Sequence, residues 1–155
     1  MTSEAPVPGW PSQRAGTETK EEDNHMTKNI RHTVAIGAAP GKVYEALIND
    51  KKHAKFTGAK SVISRKPGGR FSCYGTFLTG FNLEMVPGKR IVQAWRSSGW
   101  PKGAYSIGTF TLSAKKGGKT KLVFTQAGVP AASRRNIDQG WRTYYWKPLK
   151  AFLET

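Results

Sequence analysis

The chain has 155 residues and a formal net charge of +15, from 25 Lys and Arg against 10 Asp and Glu, with one cysteine, Cys73. A chain of this length can bury a core that needs no disulfide or metal to hold it, and a lone cysteine excludes an internal disulfide. No run of about 18 apolar residues supplies a transmembrane helix, and the polar N-terminus reads as lacking a secretory signal; a reducing, cytoplasmic setting is expected.

The charge is uneven. Residues 1–26 hold Arg14 and Lys20 against Glu4, Glu18, Glu21, Glu22 and Asp23, a balance of −3, which leaves +18 on the rest. With Pro6, Pro8 and Pro11 and Trp10 as the one large apolar side chain, this stretch is predicted to be a disordered tail. Residues 27–155 are predicted to form a single domain. A body so basic attracts polyanions: nucleic acid, an anionic membrane face or an acidic protein. The plainer reading of the same charge is a solvated surface.

In chain order, Ile30, His32, Val34 and Ile36 alternate and predict a first strand. Pro40 suits the first turn of a helix whose apolar side is Val43, Leu47 and Ile48. Asp50 is placed to cap a second short helix over residues 51–56, which Gly58 ends. Strands and turns follow. Val62 and Ile63 make a short strand and Pro67-Gly68-Gly69 a turn; Phe71 and Cys73 share a strand face opposite Ser72 and Tyr74. Residues 77–86 alternate again, with Phe77, Phe81, Leu83 and Met85 read as the dominant face, and Pro87-Gly88 signals a tight hairpin. A strand over 91–95 precedes a loop from Ser97 to Gly103. Two more, over 105–114 and 120–126, flank a Lys- and Gly-rich hairpin and aim Phe110, Leu112, Leu122 and Phe124 inward.

After Gly128-Val129-Pro130 comes a long amphipathic helix. Ile137, Trp141, Tyr145, Leu149 and Phe152 recur at steps of four, four, four and three along one face. Pro148 falls inside it and predicts a bend. Three large aromatics on one stripe demand a wide concave surface, which a curved antiparallel sheet supplies.

Catalytic chemistry finds little footing. His25, His32 and His53 have no metal-ligand spacing with Cys73, no Gly-rich loop has phosphate-binding context, and the scattered acids form no carboxylate pair. No catalytic residue, metal site or cofactor is expected. Cys73 reads as a small core residue. Glu84 is solvent-facing, or, if the strand twists inward, a buried charge in need of a partner. Two readings of the aromatics stay open: a packed core, or a ligand pocket lined by Phe71, Phe81, Trp95, Phe110, Phe124, Trp141 and Tyr145. Two also stay open for the loop carrying Trp100 and Lys102: an exposed interface anchor, or a Trp100 folded over the sheet edge.

Several motifs occur together in order: Gly68-Gly69-Arg70-Phe71, residues 80–95 with Val86-Pro87-Gly88-Lys89-Arg90-Ile91-Val92 at their centre, Trp100-Pro101-Lys102-Gly103, Gly128-Val129-Pro130 and Gly140-Trp141-Arg142-Thr143-Tyr144-Tyr145-Trp146. Over roughly residues 30 to 153 they resemble the C-terminal domain of the activator of heat-shock protein 90 ATPase and its single-domain bacterial relatives. These are members of the START-like helix-grip superfamily, which includes the birch pollen allergen. The resemblance implies an α+β helix-grip fold: about seven antiparallel strands wrapped around the C-terminal helix, with two short helices after the first strand. It also implies a non-catalytic, co-chaperone-like module that binds heat-shock protein 90 or another acidic protein. The alternative is a carrier or sensor of a small hydrophobic ligand held between sheet and helix, as in some members of the superfamily. The full co-chaperone has an N-terminal domain where this sequence has a short tail, and contact residues do not transfer one by one. Nucleic acid is permitted by the charge, but no RNA-binding aromatic motif or recognition helix appears.

Overall fold

Alternation of apolar and polar residues builds most of the sheet. The computed structural model describes residues 29–155, so the predicted tail, with Trp10 and His25, lies outside the described residues. Strand β1 (Ile30–Ile36) leads to helices α1 (Pro40–Ile48) and α2 (Asp50–Thr57), then to β2 (Ser61–Ile63), β3 (Arg70–Cys73), β4 (Leu78–Val86), β5 (Arg90–Ser97), β6 (Ser106–Lys115) and β7 (Lys119–Ala127). The seven strands form one antiparallel sheet in the order β1-β7-β6-β5-β4-β3-β2. The first strand thus closes against the last, His32 facing Phe124 in register. Its inward residues are those the alternation predicts, and Phe110, Leu112, Leu122 and Phe124 meet pairwise across β6 and β7.

Helix α2 is capped by Asn49 rather than by Asp50: the Asn49 side chain accepts from the Lys52 amide at 3.0 Å, so the helix starts at Asp50 itself. Gly58 ends it in the left-handed region, φ 74°.

β4 corrects the predicted facing. Leu78, Gly80 and Asn82 point inward, and Phe81 points to the outer side. A bulge between Asn82 and Glu84 then shifts the register, so that Met85 pairs with the buried Ile91. The inward position is glycine because of crowding. A Cβ on Gly80 would stand 1.9 Å from the Ala94 carbonyl oxygen and 2.8 Å from the Phe71 ring. Asn82 is buried but satisfied, accepting from Gln93 at 3.0 Å and donating to the Ser64 carbonyl at 3.1 Å. Glu84 lies in solvent with Arg90 at 2.9 Å, the ordinary one of its two readings.

The C-terminal helix runs from a short 3₁₀ turn at Ala131–Ser133 into α3 (Arg134–Gly140), a π-helical segment (Trp141–Trp146) and α4 (Lys147–Leu153). The π segment reconciles the stripe with its spacing. In a plain α-helix each step of four overshoots a full turn by about 40°, and three steps smear the face. The wider i→i+5 turn rotates less per residue and pulls the stripe back into line, and Ile137, Trp141, Tyr145 and Leu149 are all buried. Pro148 explains where the segment falls. Its missing N–H cannot serve the Tyr144 carbonyl in the α pattern, and that carbonyl accepts instead from the Tyr74 hydroxyl at 2.8 Å. Tyr74 reaches it from just past β3, in the left-handed region at φ 53°. Tyr74→Phe should lower stability by about 1–2 kcal/mol, read as a shift in the urea midpoint; an unmoved midpoint would show that the carbonyl does not depend on this donor.

Candidate functional site

The concave side of the sheet is filled by rings. Trp141, 2% exposed, packs against Phe124 at 4.3 Å between centroids, Tyr145 at 4.7 Å, Trp95 at 5.8 Å and Phe110 at 6.0 Å. Trp146 stacks on it at 5.1 Å and 21°, since an i→i+5 turn brings residues five apart round to the same side of the helix. Polar atoms in this core are paired in series. The Trp141 indole N–H donates to Gln126 Oε1 at 2.8 Å, Gln126 Nε2 donates to the Ser106 hydroxyl at 2.9 Å, and that hydroxyl donates to the Trp95 carbonyl at 2.9 Å. Such a chain fixes both the rotamer and the tilt of Trp141.

A second relay ties β1 to the helix. The Trp146 indole N–H donates to His32 Nδ1 at 2.9 Å, so His32 carries its proton on Nε2 and donates it to Asp138 at 2.7 Å. Burial holds the His32 pKa below its ordinary 6.5, against the pull of Asp138.

His53, Tyr145 and Cys73 meet beneath α2. His53 Nε2 lies 2.7 Å from the Tyr145 hydroxyl and 3.8 Å from Cys73 Sγ, while its Nδ1 is buried without a hydrogen-bond partner. Burial pushes the His53 pKa down to about 3 and the Cys73 thiol up to about 12; Tyr145 moves well above 10 for the same reason. All three are neutral near pH 7. A thiol held protonated is a poor nucleophile, and Cys73 serves as a small core residue. Among the described residues no group of three or more His, Cys, Asp or Glu is placed to hold a metal ion.

Of the seven predicted pocket residues, Phe71, Trp95, Phe110, Phe124, Trp141 and Tyr145 come together in the buried core, whereas Phe81 sits on the outer side of the sheet beside Tyr105 and Arg70. Of the two interface candidates, Lys102 is exposed and Trp100 is not. Trp100 is 5% exposed and leans on Trp95 at 5.6 Å, which corrects the exposed-anchor reading in favour of a Trp folded over the sheet. The loop is held by Arg96, whose guanidinium donates to the carbonyls of Trp100 at 2.8 Å, Pro101 at 3.3 Å and Ala104 at 3.3 Å.

Open space lies on the helix's other flank. A groove of about 360 Å³ is lined by Phe56 and Thr57 of α2, Tyr74, and Thr143, Tyr144, Lys147, Pro148 and Ala151. Sequence reasoning missed it, along with Trp146. The one available signal was Pro148 inside an aromatic-rich helix, which marks an interrupted hydrogen-bond ladder.

The chain as a whole is similar to known proteins. A family profile described as activator of Hsp90 ATPase homolog 1-like protein matches residues 37–154. An activator of 90 kDa heat shock protein ATPase homolog from Dictyostelium discoideum is 31% identical over 116 residues, covering 75% of this chain and 30% of its own length. The human activator of 90 kDa heat shock protein ATPase homolog 1 is 30% identical over 112 residues, covering 72% and 33%. The chain thus spans about a third of the length of these curated relatives. In fold it is similar to an HSP90 activator from Plasmodium falciparum, with a TM-score of 0.69 and 21% identity over 75% of this chain and 89% of that one. No helix among the described residues is long and apolar enough to cross a membrane. With a profile match that runs from the end of β1 through the last helix, the chain belongs to the activator of Hsp90 ATPase homolog 1-like family.

Proposed function

We propose that this protein is a co-chaperone-like interaction module that binds heat-shock protein 90. The observation that carries the reading is the family match across sheet and helix, together with relatives whose names describe activators of that chaperone's ATPase. Two physical features agree with it. The concave side is occupied by interlocked rings, which leaves the exterior as the working surface. That exterior is strongly basic, which steers association toward an acidic partner.

The test is an NMR titration of the labelled protein with heat-shock protein 90 from its own source, at low and at physiological salt. Localised, saturable shifts that persist at physiological salt are expected. Diffuse shifts that vanish there, where the Debye length is about 8 Å, would mean charge attraction without recognition.

A second reading has its own observation, the groove beside the π segment. Phe56, Tyr74 and Tyr144 give it aromatic walls, Thr57 and Thr143 hydroxyls, and Lys147 a cation. That lining suits a small amphipathic anion and relocates the ligand reading from the packed interior to the outer flank of the helix.

A further inference from the structure

The outer face of the sheet is neither apolar enough to be core nor polar enough to be plain surface. Antiparallel register lines up Arg70 of β3, Phe81 of β4, Ala94 of β5 and Ile107 of β6 as lateral neighbours on that side. Tyr105, just before β6, sets its ring 6.1 Å from Phe81. Tyr105 is 41% exposed and Ile107 42%; Val62, outward on β2, is 53% exposed, and Leu83 stands exposed in the β4 bulge. Apolar side chains scattered singly mean little, but grouped on one face they mark an interaction site.

The charges on the strands are almost all of one sign. Arg31, Arg70, Arg90, Arg96 and three lysines of β6 and β7 stand against a single acid, Glu84, which Arg90 already pairs. Arg96 lies over Tyr105 at 5.9 Å and is engaged by the loop carbonyls. Arg70 lies over Phe81 at 5.4 Å, is exposed, and has no carboxylate partner among the described residues. A guanidinium steadied on a ring keeps its donors aimed outward at little entropic cost, the geometry suited to a bidentate carboxylate.

We infer that the outer sheet face, centred on Phe81, Tyr105 and Ile107 with Arg70 beside them, docks an acidic protein segment that carries an apolar anchor residue. The inference rests on the co-chaperone reading and names its surface. A protein fits better than a single-stranded nucleic acid. Bases need open ring faces, whereas here guanidiniums lie over both rings and the remaining apolar area is aliphatic.

The experiment measures the affinity of heat-shock protein 90 from the same source, at physiological salt, for the parent and for Arg70→Glu, Ile107→Glu and Lys51→Glu. Lys51 is an exposed cation on α2, outside the sheet. Arg70→Glu and Ile107→Glu should each weaken binding tenfold or more, and Lys51→Glu less than about twofold. Milder variants, Arg70→Gln and Ile107→Ser, guard against misfolding and should lose several-fold with unchanged melting temperature. Equal losses for Lys51→Glu and Arg70→Glu would mean general electrostatics and overturn the surface. Unchanged affinity in both face variants would overturn it while leaving the co-chaperone reading intact. A parent that does not bind would remove both. A face whose variants lose a labelled oligonucleotide but keep the chaperone would overturn the inference in favour of nucleic acid.

Discussion

Trp141→Ala should lower the unfolding free energy by about 3–5 kcal/mol, the range for truncating a large buried aromatic, and the melting temperature by on the order of 10 °C or more. The cost is expected to lie high in that range for two reasons. The indole is enclosed by Phe124, Tyr145, Trp95, Phe110 and Trp146, rings that cannot collapse together without leaving their own rotamers. Its removal also strands Gln126 Oε1, an acceptor buried to 1% exposure, and an unpaired buried polar atom adds its own penalty. Trp141→Phe separates the two effects. It keeps a ring in place but deletes the N–H, and should cost about 1–3 kcal/mol. Urea denaturation followed by circular dichroism measures both. A Trp141→Ala protein melting within about 2 °C of the parent would contradict a packed interior and return the concave side to the pocket reading.

Acidification should destabilise the fold well above the range where carboxylates titrate. His53 and His32 are held neutral in the folded chain, with pKa values below the ordinary 6.5. Between the folded and unfolded values the unfolded chain binds more protons, so stability is fully present above pH 6.5 and falls as pH drops below it. For His53 the fall continues to about pH 3. One such group contributes about 1.4 kcal/mol per pH unit, or about 2 kcal/mol between pH 6.5 and 5, and His32 adds a loss of the same sign. Geometry makes charging costly at both sites. A proton on His32 Nδ1 would oppose the Trp146 N–H that it now accepts. His53 is enclosed by Phe56 at 5.0 Å and Tyr145 at 5.3 Å, with no carboxylate against it among the described residues. Urea midpoints from pH 7.5 to 4.5 for the parent and for His53→Phe give the check. The variant should show a shallower slope by about one proton's worth, and equal slopes would disprove the assignment to His53.

Much of the fold was legible from local pattern. Strict alternation in β1, β6 and β7 and the turn residues at 87–88 and 116–118 announced an antiparallel sheet, because period-two burial has few other solutions. The apolar stripe announced the helix that the sheet grips. β4 escaped the same logic: a bulge changes side-chain parity partway along a strand, and two runs of opposite phase read as one face. The site was less legible. Composition pointed to the concave aromatics, yet whether rings line a space or fill it depends on how closely they interlock, and no spacing along the chain encodes that distance.

What the residues determined by themselves was therefore the α+β architecture, the inward sets of most strands, the buried stripe of the last helix and the basic body, since each follows from hydrophobic period or from counted charge. Tertiary structure alone decided the rest. It chose the π turn at Trp141–Trp146, where Pro148 removes one amide and Tyr74, some seventy residues earlier in the chain, supplies the donor. It turned Trp100 inward and Phe81 outward, and it assembled Phe81, Tyr105, Ile107 and Arg70 from neighbouring strands into one face. These outcomes depend on contacts between residues far apart in sequence, where packing and the pairing of buried polar atoms override local preference.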